Sequence, residues 1–455
     1  MKASQRALSV LALTIFALVL CAAHDQPASA TPGHGQPPAP TGAVTATPTT
    51  TVRPTTSKVT AYTLPQELYR KAHDRSRIHF RLMLISFVYG VIVLWVILHW
   101  KLGPKYRDWA EKASARRFLQ ALLFSPLLLL TIALFTLPLD IYSEMVDKKF
   151  GISVQRWGSW SWDWIKAELI TLVIGTVLIW LLYVVVQRSP GLWWLYFWLV
   201  SLPLGLFLFF INPWVIDPLF HRFEPLQQKD PALVTALEQM VKRAGENIPP
   251  ERMFWMGAAE KTTALDAYVT GIGASKRIVV FDTTIAKMNR PQIVFGAGHE
   301  MGHYVLQHVP KGLAFFAALF LLFFYLGYRL MKWILARWGA GWQIRAMDDW
   351  ASLPAMMLLL SVLLFLANPL ISAFGRHYEH QADQYGLEVT HGLASDSGQV
   401  GAQAFQVLGE VDLADPDPDP LDVFLFYDHP SIADRIKFCL TYNPWSKGGH
   451  GEFVK

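Results

Sequence analysis

Four stretches of membrane length, Leu82–Trp100, Phe118–Leu139, Leu169–Val186 and Leu192–Ile211, come first along the chain, each nearly free of charge. About 20 apolar residues in a helix cross a bilayer, so each stretch predicts a span. Trp100, Trp164, Trp193, Trp194 and Trp214 lie near their ends, where indole rings suit the membrane–water boundary. Pro126 and Pro203 fall inside spans, which neighbouring helices allow by re-satisfying the freed backbone groups. Two more apolar segments, Leu313–Leu335 and Leu353–Leu366, follow a more polar interval at Asn212–Pro310. Within that interval Asp230–Pro231 reads as a cap and first turn. The helix it opens carries Leu233, Leu237, Met240 and Val241 on one face. Arg252–Met256, Asp266–Thr270 and Lys276–Phe281 read as short strands, with a turn at Gly271–Ile272–Gly273. A further helix is expected from near Pro291 to Pro310. After the last apolar segment come a helix through Arg376–Gly386, a stiff loop at Asp415–Pro420 and a last helix near Ser431–Leu440. There is no internal repeat.

The N-terminus has a different character. Lys2 and Arg6 precede the apolar run Leu8–Ala23, and Ala28–Ser29–Ala30 offers a small-residue cleavage site. Residues 1–30 therefore read as a secretory signal, or as a signal anchor if retained. Residues 31–60 form a disordered linker rich in Pro and Thr. A four-helix membrane region is expected at 61–211, a polar core at 212–311, a membrane hairpin at 312–370, and the rest of the polar domain at 371–455.

Composition agrees with a polytopic membrane protein: 53% hydrophobic, 16% charged, 18 Trp. The net charge of +5 is small for 455 residues, and the basic residues cluster beside apolar segments, which argues against a nucleic-acid partner. The partner this composition leads one to expect is a lipid bilayer. Two cysteines, Cys21 and Cys439, make no disulfide framework and no Cys/His metal cluster, so a metal site here uses histidine and carboxylate.

Gly298-His-Glu-Met-Gly-His-Tyr304 supplies such residues. Four helical residues turn the chain by about 400°, so His299 and His303 share a face and can fill two corners of a tetrahedral zinc site. Glu300 lies about 100° round the helix, placed to take a proton from the attacking water. A second constellation, Arg376-His-Tyr-Glu-His-Gln-Ala-Asp383, emerges from the last span. Alone, such a run is an ordinary solvated helix face. Paired with the first motif, Glu379 fits as third ligand, and Asp383 can accept the second ring N–H of a ligand histidine. His308, His377 and His380 read as poor extra ligands, His308 because a continuing helix turns it about 140° from His303.

These residues resemble the type I CAAX prenyl protease family of integral-membrane zinc metalloendopeptidases, in a bacterial-type member. The likeness covers most of Leu64–Phe438. The family's His-Glu-x-x-His falls on His299, Glu300 and His303, and its Arg-x-x-Glu-x-x-x-Asp on Arg376, Glu379 and Asp383. Leu137–Pro138 with Phe150–Gly151, Pro218–Leu219–Phe220, Arg277–Thr283, and His429–Pro430 with Arg435 follow the same pattern. The resemblance implies one zinc ion per chain on His299, His303 and Glu379, with Glu300 as base and His429 stabilising the tetrahedral intermediate. It implies supporting places beside the ligands for Asp383 and Arg376. It also implies a ring of spans around a chamber, with the metal site at one end. The chain departs from the family in three places. Asp266–Ala267–Tyr268 stands where the substrate-pairing strand has Asn-Ala-Tyr. Gly375 replaces the usual Ser, which reads as a looser helix start touching no ligand. Six spans follow the N-terminal segment where the family has seven.

The expected fold is thus mainly α: a polytopic membrane helical bundle of about six spans plus an N-terminal signal or anchor, with a small α+β, zincin-like metallopeptidase domain. The expected function is peptide-bond hydrolysis in a bacterial inner membrane, on membrane-associated or misfolded proteins. The competing reading is a non-catalytic transporter or scaffold with a structural metal. A transporter would carry ionisable residues inside its spans, and these apolar segments have almost none. Lys101, Lys105, Arg107, Lys112, Arg116 and Arg117 make the loop after Trp100 the densest basic loop, which the positive-inside rule places in the cytoplasm. The metal motif then faces the extracytoplasmic side, whereas the resemblance implies a cytoplasm-facing site.

Overall fold

The computed structural model describes residues 57–454 apart from Ile272. The signal or anchor expected at 1–30, and nearly all of the linker expected at 31–60, lie outside the described residues. Among the described residues, six helices are long and apolar enough to cross a membrane. They are α1 (Gln66–His99), α3 (Arg117–Phe150), α4 (Trp157–Arg188), α5 (Trp193–Ile211), α10 (His308–Ile334) and α11 (Leu353–Thr390). Each covers an expected apolar segment to within one residue at its ends, and most run well beyond it. The 34 residues of α1 and of α3 span about 51 Å each, against a bilayer core of about 30 Å. The overshoots of α3 and α4 carry Asp140, Glu144, Asp147, Asp163 and Glu168, all buried. Phe124, Leu128, Phe197, Phe320, Phe324 and Trp350 belong to the core of the bundle.

At one end of the bundle the basic stretch after Trp100 is a helix rather than a loop, α2 (Leu102–Ala113). It is held there by Arg107, whose Nη1 lies 2.7 Å from Asp349 Oδ2, and by the pairing of Arg345 with Glu111. At the other end sits a four-stranded sheet of order β1-β2-β4-β3. Its strands are β1 (Arg222–Pro225), β2 (Met253–Gly257), β3 (Ala267–Thr270) and β4 (Arg277–Phe281). β2 and β4 run parallel, the other pairs antiparallel, which leaves β3 on an edge, beside α9 (Arg290–Val305). The short helices α6 (Leu226–Lys229) and α8 (Asp282–Lys287) flank the strands. β1 was not expected, because four residues ending in proline carry no strand pattern.

α7 (Pro231–Arg243) begins where the sequence predicts, with the Asp230 side chain accepting from Leu233 N–H. Its Leu233, Leu237 and Met240 pack with Ile278 and Val280 of the sheet and Ile293, Ala297 and Met301 of α9. α9 (Arg290–Val305) opens on a capping box between Asn289 and Gln292. It stops before Pro310: Gln307 adopts φ +59°, and Pro310 sits in the first turn of α10, where a missing N–H is harmless. The last apolar segment and the Arg376–Gly386 helix are one helix, the 38-residue α11, with Pro369 inside it. α12 (Ser397–Val411), α13 (Pro420–Phe426) and α14 (Ile432–Thr441) complete the domain. The loop expected at Asp415–Pro420 is irregular as far as Asp419, whose side chain caps α13.

α9 and α11 cross closely because glycines meet at the crossing. A Cβ on Gly302 would lie 3.0 Å from Tyr385 Cβ, and one on Gly386 only 3.2 Å from the His299 backbone N. Gly296, by contrast, has nothing within 4 Å of a Cβ position. Gly302→Val is therefore expected to lower stability by about 1–3 kcal/mol through overpacking. Gly296→Ala is expected to raise it by about 0.5–1 kcal/mol by removing helix glycine entropy. Thermal unfolding of both variants in one detergent decides; equal shifts would mean that the crossing tolerates separation.

Candidate metal centre

One helical turn of α9 brings His299 Nε2 and His303 Nε2 to 3.3 Å. α11 supplies Glu379, with Oε2 3.2 Å from His299 Nε2 and Oε1 3.4 Å from His303 Nε2. A tetrahedral site with arms of about 2.0–2.1 Å has edges about 1.63 times longer, near 3.3–3.4 Å. The His299–His303 separation matches such an edge, the two oxygens of Glu379 each face one ring nitrogen, and one atom from each residue lies within 4.8 Å of the others, a spacing that could hold one small cation. Their chemistry agrees: two imidazoles and a carboxylate suit a divalent metal without thiolate. The field asks for positive charge as well. Burial disfavours a charged His299, but Asp383 and Glu379 outweigh it and lift the ring to about 9. A metal ion would meet the same demand in place of that proton. Glu300 follows His299, with Oε1 3.9 Å from His299 Nε2, and lines the same cavity.

The groups behind these donors are themselves held. Asp383 Oδ1 accepts from His299 Nδ1 at 2.8 Å, which turns Nε2 toward Glu379. Arg435 from α14 grips that carboxylate at both oxygens, Nη2 to Oδ1 at 2.6 Å and Nε to Oδ2 at 2.9 Å. Its guanidinium lies over the Phe405 ring of α12 at 4.1 Å and reaches within 3.7 Å of Glu379 Oε2. Arg435 matched a motif in the sequence, but no spacing said what it would hold.

His429 comes from the loop before α14. Its Nε2 is 3.2 Å from Glu379 Oε2, and its Nδ1 is 2.8 Å from Asp428 Oδ1. Burial opposes charge on the ring, yet Glu379 and Asp428 raise it to about 10. Arg376 does not touch the donors. It donates to the carbonyls of Val423, at 2.9 Å, and Tyr427, and so shapes the loop that carries His429. Gly375 is mid-helix rather than at a helix start, and a Cβ there would come within 2.9 Å of Asp428 O. Its bareness lets the His429 loop approach, which a serine would obstruct. His377 and His380 stay outside, His380 against the Phe438 ring. His308 does not stay outside. The break at Gln307 returns its Nδ1 to 3.1 Å from His303 Nδ1, so extrapolating one continuous helix misplaced it.

A cavity of about 510 Å³ reaches His299 and is lined as well by Glu300 and His429. Asp266 and Ala267 line it at the start of β3, together with Asp147 and Asp412. The side chain of Tyr268 points the other way, into a core with Met256 and Phe281. Among Asp266, Ala267 and Tyr268, then, the first two line the cleft and the third does not.

Spans, an open sheet edge and a His-Glu-x-x-His/Glu donor set together define a membrane metalloprotease. Comparison with known proteins agrees. Residues 49–222 match the CAAX prenyl protease N-terminal family, described as five membrane helices, and residues 227–442 match peptidase family M48. The "Uncharacterized metalloprotease YhfN" of Bacillus subtilis is 37% identical over 386 residues, covering 85% of this chain and 88% of that protein. CAAX prenyl protease 1 of Saccharomyces cerevisiae is 25% identical, covering 82% and 86%. The crystal structure of S. mikatae Ste24p superposes with a TM-score of 0.71 at 24% identity, covering 83% of this chain and 90% of that one, and so shares the fold. The chain belongs to peptidase family M48, as a bacterial-type member.

Asp383 and Arg435 are both nearly sealed from solvent, with side chains 1% and 7% exposed. Removing one partner of a buried ion pair typically costs about 3–5 kcal/mol, because the other is left uncompensated. Asp383→Ala should therefore unfold at lower denaturant concentration by that margin, while Asp383→Ala with Arg435→Leu should recover part of it. A double variant no more stable than the single one would show that the pair is not coupled.

Proposed function

We propose that this membrane metalloprotease is a zinc endopeptidase in which His299, His303 and Glu379 hold the metal and Glu300 moves the protons. The observation that carries this reading is that His299, His303 and Glu379 each bring a ligand atom within 4.8 Å of the other two, the two imidazole Nε2 atoms being 3.3 Å apart and each facing a different oxygen of Glu379. Zinc bound there supplies Lewis acidity, acidifying water and polarising a peptide carbonyl. An extended substrate adds to the free edge of β3, running antiparallel to it. Its C-terminal half then lies toward Asp266, where Asp147 and Asp412 also line the cavity. Glu300 takes a proton from the attacking water and delivers it to the leaving amine nitrogen. His429, kept protonated by Glu379 and Asp428, donates from Nε2 to the carbonyl oxygen as charge develops there. Asp383 and Arg376 support from behind, the one fixing His299 and the other the His429 loop. The substrates are membrane-associated or misfolded proteins and peptides, and the site of action is a bacterial inner membrane. Prenylated substrates belong to the names of the relatives, and nothing in the cleft of this chain requires a prenyl group.

Ligand and base roles separate experimentally. His299→Ala, His303→Ala and Glu379→Ala should each lower zinc stoichiometry in the purified protein. Glu300→Gln should keep its zinc and lose about 10²–10⁴-fold in turnover of a quenched peptide. Chelator should abolish wild-type turnover, and zinc should restore it. Full turnover by Glu300→Gln would sink the mechanism.

The site is proposed to face the extracytoplasmic side. Ser57 to Thr63, just ahead of α1, are fastened onto α12. Val59 N–H reaches Gln399 Oε1 at 3.0 Å, and Gln406 Nε2 reaches Thr63 O at 2.6 Å. The segment preceding the first span and the peptidase domain thus share one side, opposite α2 with its basic residues. A maleimide that cannot cross membranes should label Asp417→Cys, made in a background of Cys21→Ser and Cys439→Ser, on intact spheroplasts. Labelling only after lysis would reverse the assignment.

A further inference from the structure

His299 and His303 are backed by different chemistry. Behind His299 stands a carboxylate, Asp383. Behind His303 stands a second imidazole, with His308 Nδ1 at 3.1 Å from His303 Nδ1. Two ring nitrogens attract only when one carries a proton and the other a lone pair. The far side of His308 settles which. Its Nε2 lies 3.0 Å from Gln381 Oε1, an amide carbonyl that can only accept. His308 therefore carries its proton on Nε2, and a neutral ring so protonated offers a lone pair at Nδ1. His303 must then be protonated at Nδ1, which leaves its Nε2 bare on the side of His299 and Glu379.

The fold is built to hold this arrangement. α9 ends at Val305, and Gln307 in the left-handed region turns His308 back toward the motif. The ring is 4% exposed and stacks on Tyr378, centroids 4.3 Å apart and planes 18° from parallel. Tyr378 and Gln381 sit on either side of Glu379 on α11. The helix that brings the third donor thus also grips the ring behind the second.

We propose that His308 and Gln381 form a neutral positioning relay that fixes His303 in its Nδ1–H tautomer, directing Nε2 at the metal. The relay rests on the reading of His303 as a ligand. His308 is a positioning residue: it acts through His303 and touches neither metal nor substrate.

The test is zinc affinity, read on the full-length protein in detergent by competition with a chromogenic chelator, and it needs no turnover. His308→Phe keeps an aromatic ring against Tyr378 and removes the acceptor. It should weaken zinc by about 10–100-fold, the usual effect of losing a group that orients a metal-bound histidine. His308→Asn keeps an acceptor for the His303 N–H and removes the ring, and should bind more tightly than His308→Phe. Gln381→Met should weaken zinc, and Gln381→Glu, which restores an acceptor, should recover it. The Gln381 pair decides if a His308 variant fails to fold. Wild-type affinity in His308→Phe and Gln381→Met, or tighter binding by His308→Phe than by His308→Asn, overturns the relay. His303→Ala separates the two readings. Zinc lost there but kept in His308→Phe refutes the relay alone, and zinc kept in His303→Ala refutes the ligand assignment beneath it.

Discussion

Everything at the metal centre depends on how near α9 comes to α11. Two of the candidate donors ride on one helix and the third on the other, so the three come within reach of one another only where the helices pack closely. Packed helices commonly lie 8–10 Å apart, at a distance set by the side chains between them. Here those side chains are largely hydrogen: Gly298 faces Val389, Gly302 faces Tyr385, and Gly386 faces the His299 backbone. Added bulk would wedge the helices apart and stretch the edges to Glu379, while the His299–His303 edge, being local to one helix, would survive. α11 also reaches the site from across the membrane. Glu379 stands about 39 Å along it from Leu353, beyond the roughly 30 Å bilayer core. One unbroken helix is therefore both the last span and the arm that presents the third donor.

Close approach gathers charge as well as atoms, and at the metal centre Asp383 and Glu379 are answered by cationic or imidazole partners. Asp383 is shared by His299 and Arg435; Glu379 is shared by His299, His303 and His429. In a low dielectric these groups stand or fall together, since an unpaired ion there is far more expensive than a missing contact. The same pairing gives the histidines distinct tasks. His299 and His303 each have one nitrogen occupied from behind and the other facing Glu379. His429 is flanked by two carboxylates, which favour a proton and suit it to donate.

Part of this was legible in the sequence because it is local. Spacing of four on a helix puts His299 beside His303, and Glu379 beside Asp383, whatever the rest of the chain does. Apolar length gave the six spans, and Asp230–Pro231 marked the start of α7. What stayed hidden depends on breaks and meetings. The turn at Gln307 uses neither Gly nor Asn, so nothing in the residue types announces positive φ, and His308 looked misdirected. α11 looked like two pieces because Pro369 and the polar run after it resemble an exit from the membrane. α12, Ser-Gly-Gln-Val-Gly-Ala-Gln, holds glycines that weaken any helix signal, though Asp396 three residues before Gln399 was a readable cap. The purpose of Gly375 could only emerge once the Asp428 backbone was seen to rest against it.

The cleft wall is also tied to the membrane on its substrate side. The chain leading into β3 is bonded to the turn after α3: Thr263 N–H reaches Ile152 O at 3.1 Å, and Val154 N–H reaches Lys261 O at 2.9 Å. Lys261, nearly fully buried, pairs with Asp163 of α4. On the far wall, His73 of α1 lies 2.9 Å from Asp415. Edge strand, metal donors and cavity wall are thus fastened to four different spans, α3 and α4 through β3, α11 through Glu379, and α1 through Asp415. A rigid-body shift of any one span would alter the cleft before it altered the sheet behind it, whose register is set by its own ladder. The peptidase domain is therefore not a soluble enzyme on a membrane tether. Its active geometry is a property of the bundle, and the overshooting helices are the means by which packing inside the bilayer is read out at the metal centre.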